Sequence, residues 1–151
     1  MENKSEIIFQ PFQGKDQGEV KQLILAGLAE HWEKLDASLN KDLDDIADSY
    51  CDAIFLVARH GRRIVASGAL RPAGEESGQI VRMSVVSDMR RQGLGRLMLA
   101  ELTRWGRELG YRCIVLETTE TWQDVIKFYM DFGFLITNHQ DGDIYFVMEL
   151  D

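Results

Sequence analysis

The densest run of chemistry in the 151-residue chain is Val85-Val86-Ser87-Asp88-Met89-Arg90-Arg91-Gln92-Gly93-Leu94-Gly95-Arg96. It joins an apolar, strand-like run to an amphipathic, helix-like one. The first turn of a helix carries backbone N–H groups without internal partners, and the helix dipole adds partial positive charge there. Together they suit phosphate oxygens. Gly93 and Gly95 lack Cβ atoms, so a bulky anion can approach the backbone closely. Arg90, Arg91 and Arg96 add full charges whose planar forks match phosphate. The run has no Gly-x-x-x-x-Gly-Lys-Ser/Thr, which argues against a P-loop NTPase. No Gly-x-Gly-x-x-Gly opens the first strand–helix unit, which argues against a dinucleotide fold. An isolated Gly-x-Gly is a weak signal, and a plain glycine-rich turn is the bland alternative. Three arginines in a strand-to-helix context favour a ligand that bears phosphate.

The rest of the composition narrows the class. Apolar residues make up 45% and charged residues 28%, as in ordinary globular proteins, and the length suits one domain over 1–151. No apolar run approaches the roughly 20 residues of a membrane span. The N-terminus Met1-Glu2-Asn3-Lys4-Ser5 lacks a secretory signal, so no membrane partner and a cytoplasmic location are expected. Cys51 and Cys113 are too few and too isolated for a disulfide framework or a metal cluster; Cys113, in an apolar run, reads as a small core residue, and no metal is expected. The net charge of −8 argues against a nucleic-acid partner. It is unevenly spread: residues 1–60 hold twelve Asp/Glu and six Lys/Arg, whereas 80–112 hold seven Arg and three Asp/Glu. A basic island suits an anionic ligand, and the acidic remainder suits a cationic one or merely a solvated face.

These residues need elements to position them. Ile7 to Phe9 reads as a strand. Gln17 to about Glu33 has apolar residues at helical spacing (Val20, Leu23, Ile24, Gly27, Leu28), with Asp16 as N-cap. Lys41 to Tyr50 reads as a second helix with Leu43, Ile46 and Ala47 inward. Residues 53–58 and 63–70 form a hairpin about His60-Gly61-Arg62, and Gln79 to Val86 is a further strand. The longest helix starts near Gly93 and stops at Gly110, with Leu94, Leu97, Met98, Leu102, Trp105 and Leu109 on one face. Cys113 to Glu117 is a strand and Trp122 to Asp131 a helix. Strands 134–137 and 144–150 flank an Asp141-Gly142 turn. The order βααβββαβαββ gives a mixed α/β sheet covered by helices.

Arg90-Arg91-Gln92-Gly93-Leu94-Gly95 resembles the Arg/Gln-x-x-Gly-x-Gly/Ala signature of the GNAT superfamily of acyl-CoA-dependent N-acetyltransferases. Val81-Arg82-Met83-Ser84-Val85 and Phe128-Tyr129-Met130-Asp131-Phe132-Gly133-Phe134 resemble that family's neighbouring blocks, in the right order. The likeness is good over residues 53–150 and holds only by element order before that.

The resemblance implies a mostly antiparallel central sheet of about seven strands, with a splayed parallel pair and about four helices. It implies acetyl-CoA as acyl donor, its pyrophosphate on Arg90, Arg91, Gln92, Gly93, Leu94, Gly95 and Arg96, and its pantetheine arm along Met83, Ser84 and Val85 by β-augmentation. An N–H near Val85 would polarise the thioester carbonyl. Tyr129 matches the tyrosine that protonates the leaving thiolate, a role suited to a phenol near its ordinary pKa of about 10. It also reads as packing beside Phe128. Glu117, at a strand end where some members carry a functional glutamate, is the first candidate to deprotonate the amine; Glu30, His31 and His139 are weaker ones. Trp122 stands where many members have an asparagine that contacts the coenzyme, and Gln123 is the alternative donor. The implied reaction is direct transfer to a primary amine, small molecule or polypeptide, without a covalent acyl-enzyme. A non-catalytic acyl-CoA-binding regulatory module is the alternative. Members occur as monomers or dimers, which leaves a homodimer open.

Overall fold

The computed structural model describes residues 6–32 and 34–151. Seven strands form one sheet: β1 (Ile7–Pro11), β2 (Ile54–His60), β3 (Arg63–Pro72), β4 (Ser77–Val85), β5 (Cys113–Thr119), β6 (Leu135–Gln140) and β7 (Asp143–Glu149). Their order is β1-β2-β3-β4-β5-β7-β6. All neighbours are antiparallel except β4 and β5, which are parallel. Four α-helices cover it: α1 (Gln17–Ala29), α2 (Ile46–Ser49), α3 (Leu94–Glu108) and α4 (Gln123–Phe132).

The sheet has a core on each face, because alternate side chains of a strand point to opposite sides. Leu56, Ala66, Leu70, Ile80, Ile114, Leu116 and Phe146 pack under α3 and α4. Phe55, Val57, Ile64 and Ala69 pack under α1 and α2 with Val20, Leu23, Ile24, Leu43 and Ile46. The strands outrun the apolar runs that predict them: β1, β2, β3 and β5 extend two residues further at their C-terminal ends. Ladder pairing continues through polar residues once a neighbour supplies the hydrogen bonds.

Three helix expectations change. The Lys41–Tyr50 helix is a 3-10 turn (Lys41–Asp44) and one α-turn, broken at Asp45, whose extended backbone (φ −148°) lets its carboxylate accept from the Asp48 amide. Leu43 and Ile46 are buried as expected, but Ala47 is exposed. Asp16 does not cap α1; its buried carboxylate accepts from the Gln13 amide and pairs with Arg59. On α3 the inward face is Leu94, Met98, Leu99, Leu102, Thr103 and Gly106, while Leu97 and Leu109 are about half exposed. The helix is turned so that Gly95 and Gly106 face neighbours at close range, which an apolar count by residue type does not register. Helix α1 ends at Ala29, and Glu33, the expected boundary, lies outside the described residues.

Candidate active site

The parallel pair β4 and β5 is bonded only at its beginning, Ser77 with Cys113, Gly78 with Ile114 and Gln79 with Val115. Beyond that both strands continue unpaired with each other, β4 to Val85 and β5 to Thr119. A cleft of about 1080 Å³ opens where they part. Its lining comes from both faces of the sheet. Leu94, Val125, Phe128 and Tyr129 belong to the α3/α4 side, and Ile24, Leu28, Asp42 and Tyr50 to the α1/α2 side. The cleft therefore runs through the sheet, and two ligands can meet in it from opposite faces.

At one end lies the glycine-rich turn. Gly93, the N-cap of α3, has φ +85° and offers no side-chain cap. Leu97 is the first amide with a helical acceptor, the Gly93 carbonyl at 3.0 Å. The helix amides before it have no acceptor among the described residues and suit an anion, and all residues of the turn from Arg90 to Arg96 except Gln92 line the cleft. Arg91 takes a left-handed backbone (φ +62°), which a non-glycine residue adopts at a cost. The Arg96 guanidinium lies 5.4 Å from the Phe132 ring centroid. Arg90 is engaged otherwise: its Nε donates to the Val85 carbonyl at 3.1 Å and its fork grips Glu30. That grip holds the Glu30 carboxyl below its usual range, so Glu30 is a poor proton acceptor. Gly95 also serves packing, since a Cβ there would stand 3.1 Å from Phe128 Cζ. Close approach of α3 to α4 is one reason for glycine at that position.

The strand edge that borders the slot is bulged. Ala69 pairs with Val81 and Ser67 with Ser84, which leaves Arg82 and Met83 opposite Gly68. The bulge has several supports. Arg82 takes φ +57°. Buried Ser67 donates Oγ to the Arg82 carbonyl at 2.9 Å. A Cβ on Gly68 would lie 2.8 Å from Met83 Sδ and Met98 Cγ. Arg82 Nε and Nη2 bond Asp42 at 2.9 and 2.6 Å, and Tyr50 donates its hydroxyl to the same carboxylate. Burial would raise the Asp42 carboxyl, but Arg82 and Tyr50 outweigh it and hold it below its usual range. Burial and the Asp42 charge push the Tyr50 phenol up to about 12. Ser84 faces α1, where a Cβ on Gly27 would meet its Oγ at 2.9 Å.

Tyr129 lies against Phe134 and Phe146, with ring centroids 5.9 and 5.8 Å apart, and it lines the cleft. Burial pushes its phenol well above the ordinary value, against the expectation of a pKa near 10. Glu117 is exposed in the cleft and sits opposite Tyr145, whose phenol it pushes up by hydrogen bond and charge. Trp122 stacks on His31 at 4.2 Å and touches Trp32 at 5.7 Å, which ties the end of α1 to the start of α4. Gln123 donates to the Glu120 carbonyl and does not line the cleft, so it does not stand in for an asparagine there. His139 is exposed on β6, away from the cleft. Cys113, expected in the core, is half-buried beside Ser77 Oγ at 3.2 Å, and Cys51 is exposed.

Met83, Ser84, Val85, Glu117 and Tyr129 thus meet the glycine-rich turn in one cleft. The sequence reading missed Arg82, Tyr50, Arg71 and Gln79, which line the same cleft. One signal was present: Arg82 is a lone charge inside the apolar run Ile80–Val86.

Residues 19–134 match the family profile described as Acetyltransferase (GNAT) family. N-acetyltransferase 8F1 of Rattus norvegicus is 32% identical over 127 residues, 78% of this chain and 58% of that protein. N-acetyltransferase 8 of the same organism is 33% identical over 114 residues, 70% of this chain and 51% of that protein. The chain spans about half the length of the curated relatives it matches. A GNAT-family acetyltransferase from Staphylococcus aureus superposes with TM-score 0.87 at 18% identity, covering 96% of this chain and 99% of that one. The PaiA N-acetyltransferase of Thermoplasma acidophilum, in complex with coenzyme A, superposes with TM-score 0.84 at 12% identity over 95% and 99%.

Proposed function

The chain belongs to the GNAT acetyltransferase family, and from that premise we propose that it moves an acetyl group from acetyl-CoA directly to a primary amine. The observation that carries this reading is the parting of β4 and β5 over a through-sheet cleft with the start of α3 at its end. The PaiA relative, of the same fold, is a coenzyme A complex.

The free amides from Gly93 to Arg96, with Arg91 and Arg96, hold the pyrophosphate. The backbone of Met83, Ser84 and Val85 receives the pantetheine arm as an added strand. Arg90 fixes the turn against α1 rather than serving only as a phosphate ligand, because Glu30 and the Val85 carbonyl hold it. The acetyl thioester supplies an electrophilic carbonyl carbon. Glu117 takes the proton from the incoming ammonium, directly or through water. The neutral nitrogen bonds to the carbonyl carbon, the carbon–sulfur bond breaks, the thiolate takes a proton from Tyr129, and the nitrogen sheds its second proton to water, which reprotonates Tyr129. Burial keeps Tyr129 protonated at neutral pH and also makes it a weaker donor than a free phenol, so proximity has to outweigh its raised pKa.

Thermal unfolding with acetyl-CoA, and with ATP and NAD as controls, tests the binding step. A ligand at about one hundred times its dissociation constant adds roughly 2.7 kcal/mol, an upward shift on the order of 5 °C for a chain of this size. A shift with acetyl-CoA alone, followed by coenzyme A release with an amine, supports the reading. A folded protein without the shift overturns it. One observation favours a non-catalytic acyl-CoA-binding module: Trp122 is stacked on His31 where many members offer an asparagine amide. Binding of acetyl-CoA without release against any amine would select that alternative.

A further inference from the structure

Resting on the acyl-transfer reading, we propose that the acceptor is an amine that carries a carboxylate, and that Arg82 and Arg71 read that carboxylate at the α1/α2 end of the cleft.

Arg82 is built into this place. It holds a left-handed backbone inside a strand, at the bulge of β4. Residues in such conformations persist where the surroundings over-determine them, and they concentrate at ligand clamps. Its side chain is 16% exposed and that of its partner Asp42 28%, so the pair is largely withdrawn from water. Asp42 takes the Nε and Nη2 donors, and Tyr50 fixes Asp42 in turn. The guanidinium plane is therefore held by Asp42 and Tyr50, and Arg82 lines the cleft.

Arg71 is the second cation. It faces Gln79 across the β3–β4 ladder, and its Nε donates to Gln79 Oε1 at 3.1 Å. Both residues line the cleft. Among the described residues no carboxylate pairs with Arg71, and its two Nη groups have no hydrogen-bond acceptor. Leu70 and Ile80 point into the core under α3, so strand alternation puts Arg71 and Gln79 on the α1/α2 face, the face from which Asp42 meets Arg82.

The charges on this side divide between the two banks. The β3/β4 bank carries Arg71 and Arg82 against Asp42, a surplus of one cation. The β5 bank carries Glu117. A molecule with an ammonium for Glu117 and a carboxylate for the arginines matches that polarity; a polycation does not. Of the acidic residues before β2, which by sequence suit a cationic ligand, Asp42 lines the cleft but is paired with Arg82, and others are engaged in local structure. Asp44 pairs with Lys21 at 2.7 Å, Asp45 caps the Asp48 amide at 3.1 Å, and Asp36 caps Ser38 at 2.9 Å. None of these three lines the cleft.

The test measures coenzyme A release by the full chain with matched acceptors: phenylalanine against phenethylamine, leucine against isoamylamine, lysine against cadaverine, with spermidine as the polycation. Rates are referred to the free-base amine, because the amines of each pair differ in basicity. The expected result is a preference of about tenfold or more in kcat/KM for the carboxylated member, collapsing toward unity in R71Q and R82Q through the acceptor KM, with the KM for acetyl-CoA unchanged. Arg71 is exposed and outside the buried network, so R71Q remains informative if R82Q fails to fold. Equal or better use of the carboxylate-free amines, or a preference that survives R71Q, overturns the inference and leaves the acyl-transfer reading standing. Acetyl-CoA stabilisation without acetylation of any carboxylated amine also overturns it. Absence of acetyl-CoA stabilisation in the wild type removes the acyl-transfer reading itself, and the inference with it.

Discussion

The two side chains proposed to carry the protons have different settings. Tyr129 sits among Phe128, Phe134 and Phe146 with its phenol pushed up by burial, whereas Glu117 is open to solvent. Y129F removes one oxygen and leaves the ring packing intact. Its expected effect is a fall in kcat of roughly 10²-fold, with acetyl-CoA affinity by calorimetry unchanged. Unaltered transfer across pH would take the acid role from Tyr129. E117Q should flatten the acid limb of the kcat/KM profile, because the group that accepts the amine proton is gone; a limb that stays in place assigns that limb to another group. Asp42 has a linked effect on stability. Its folded pKa lies below the usual carboxylate value, so its contribution is complete above the unfolded value, near 4, and fades as pH falls through the lower folded value. Urea unfolding of D42N and wild type should therefore differ at pH 7 and converge in acid. A difference that is constant with pH would mean that the Arg82 pairing is not its source.

Elements bring these side chains together through close approaches that single glycines permit. Gly95 brings the first turn of α3 against Phe128 of α4, and Gly68 gives the β4 bulge room beside Met83 and Met98. G95V overfills the first approach. It should cost about 1–3 kcal/mol of stability and weaken acetyl-CoA binding, because the turn and α4 separate. If G95V binds acetyl-CoA as the wild type does, the position of α3 on α4 is immaterial to the turn. Arg90 acts at this scale too, since its grip on Glu30 joins the glycine-rich turn to the end of α1, while His31 on Trp122 joins that end to α4. The end of α1 thus bridges both banks of the slot.

At the scale of the whole molecule, the sheet separates two cores, and the gap between β4 and β5 connects its faces. A donor on the α3/α4 side and an acceptor on the α1/α2 side can then react directly, with no protein nucleophile in between. Neither cysteine lines the gap. The double variant C51S/C113A should retain its transfer rate within about twofold, as expected when no buried network is broken; a large loss in a folded double variant would point to an acyl-enzyme. Among the described residues no helix is long and apolar enough to cross a membrane.

The order of strands and helices was legible from periodicity, and the family from two motif blocks, because both are local properties of the chain. The family resemblance grouped the glycine-rich turn, Met83–Val85, Glu117 and Tyr129, and the structure brings them to one cleft. Helix α2 was read too long, since the break at Asp45 depends on a side chain accepting from the backbone. The inward face of α3 was read with Leu97 in place of Leu99, since Gly95 and Gly106 set its rotation. Only the tertiary structure brought Arg82 to Asp42, forty residues earlier in the chain, and Arg71 to the same cleft. It also decided that Arg90 holds Glu30 and that Tyr129 is buried enough to raise its phenol. Sequence spacing determines which side chains share a strand or a helix face, whereas charge pairing and desolvation depend on distances across elements, which packing alone sets.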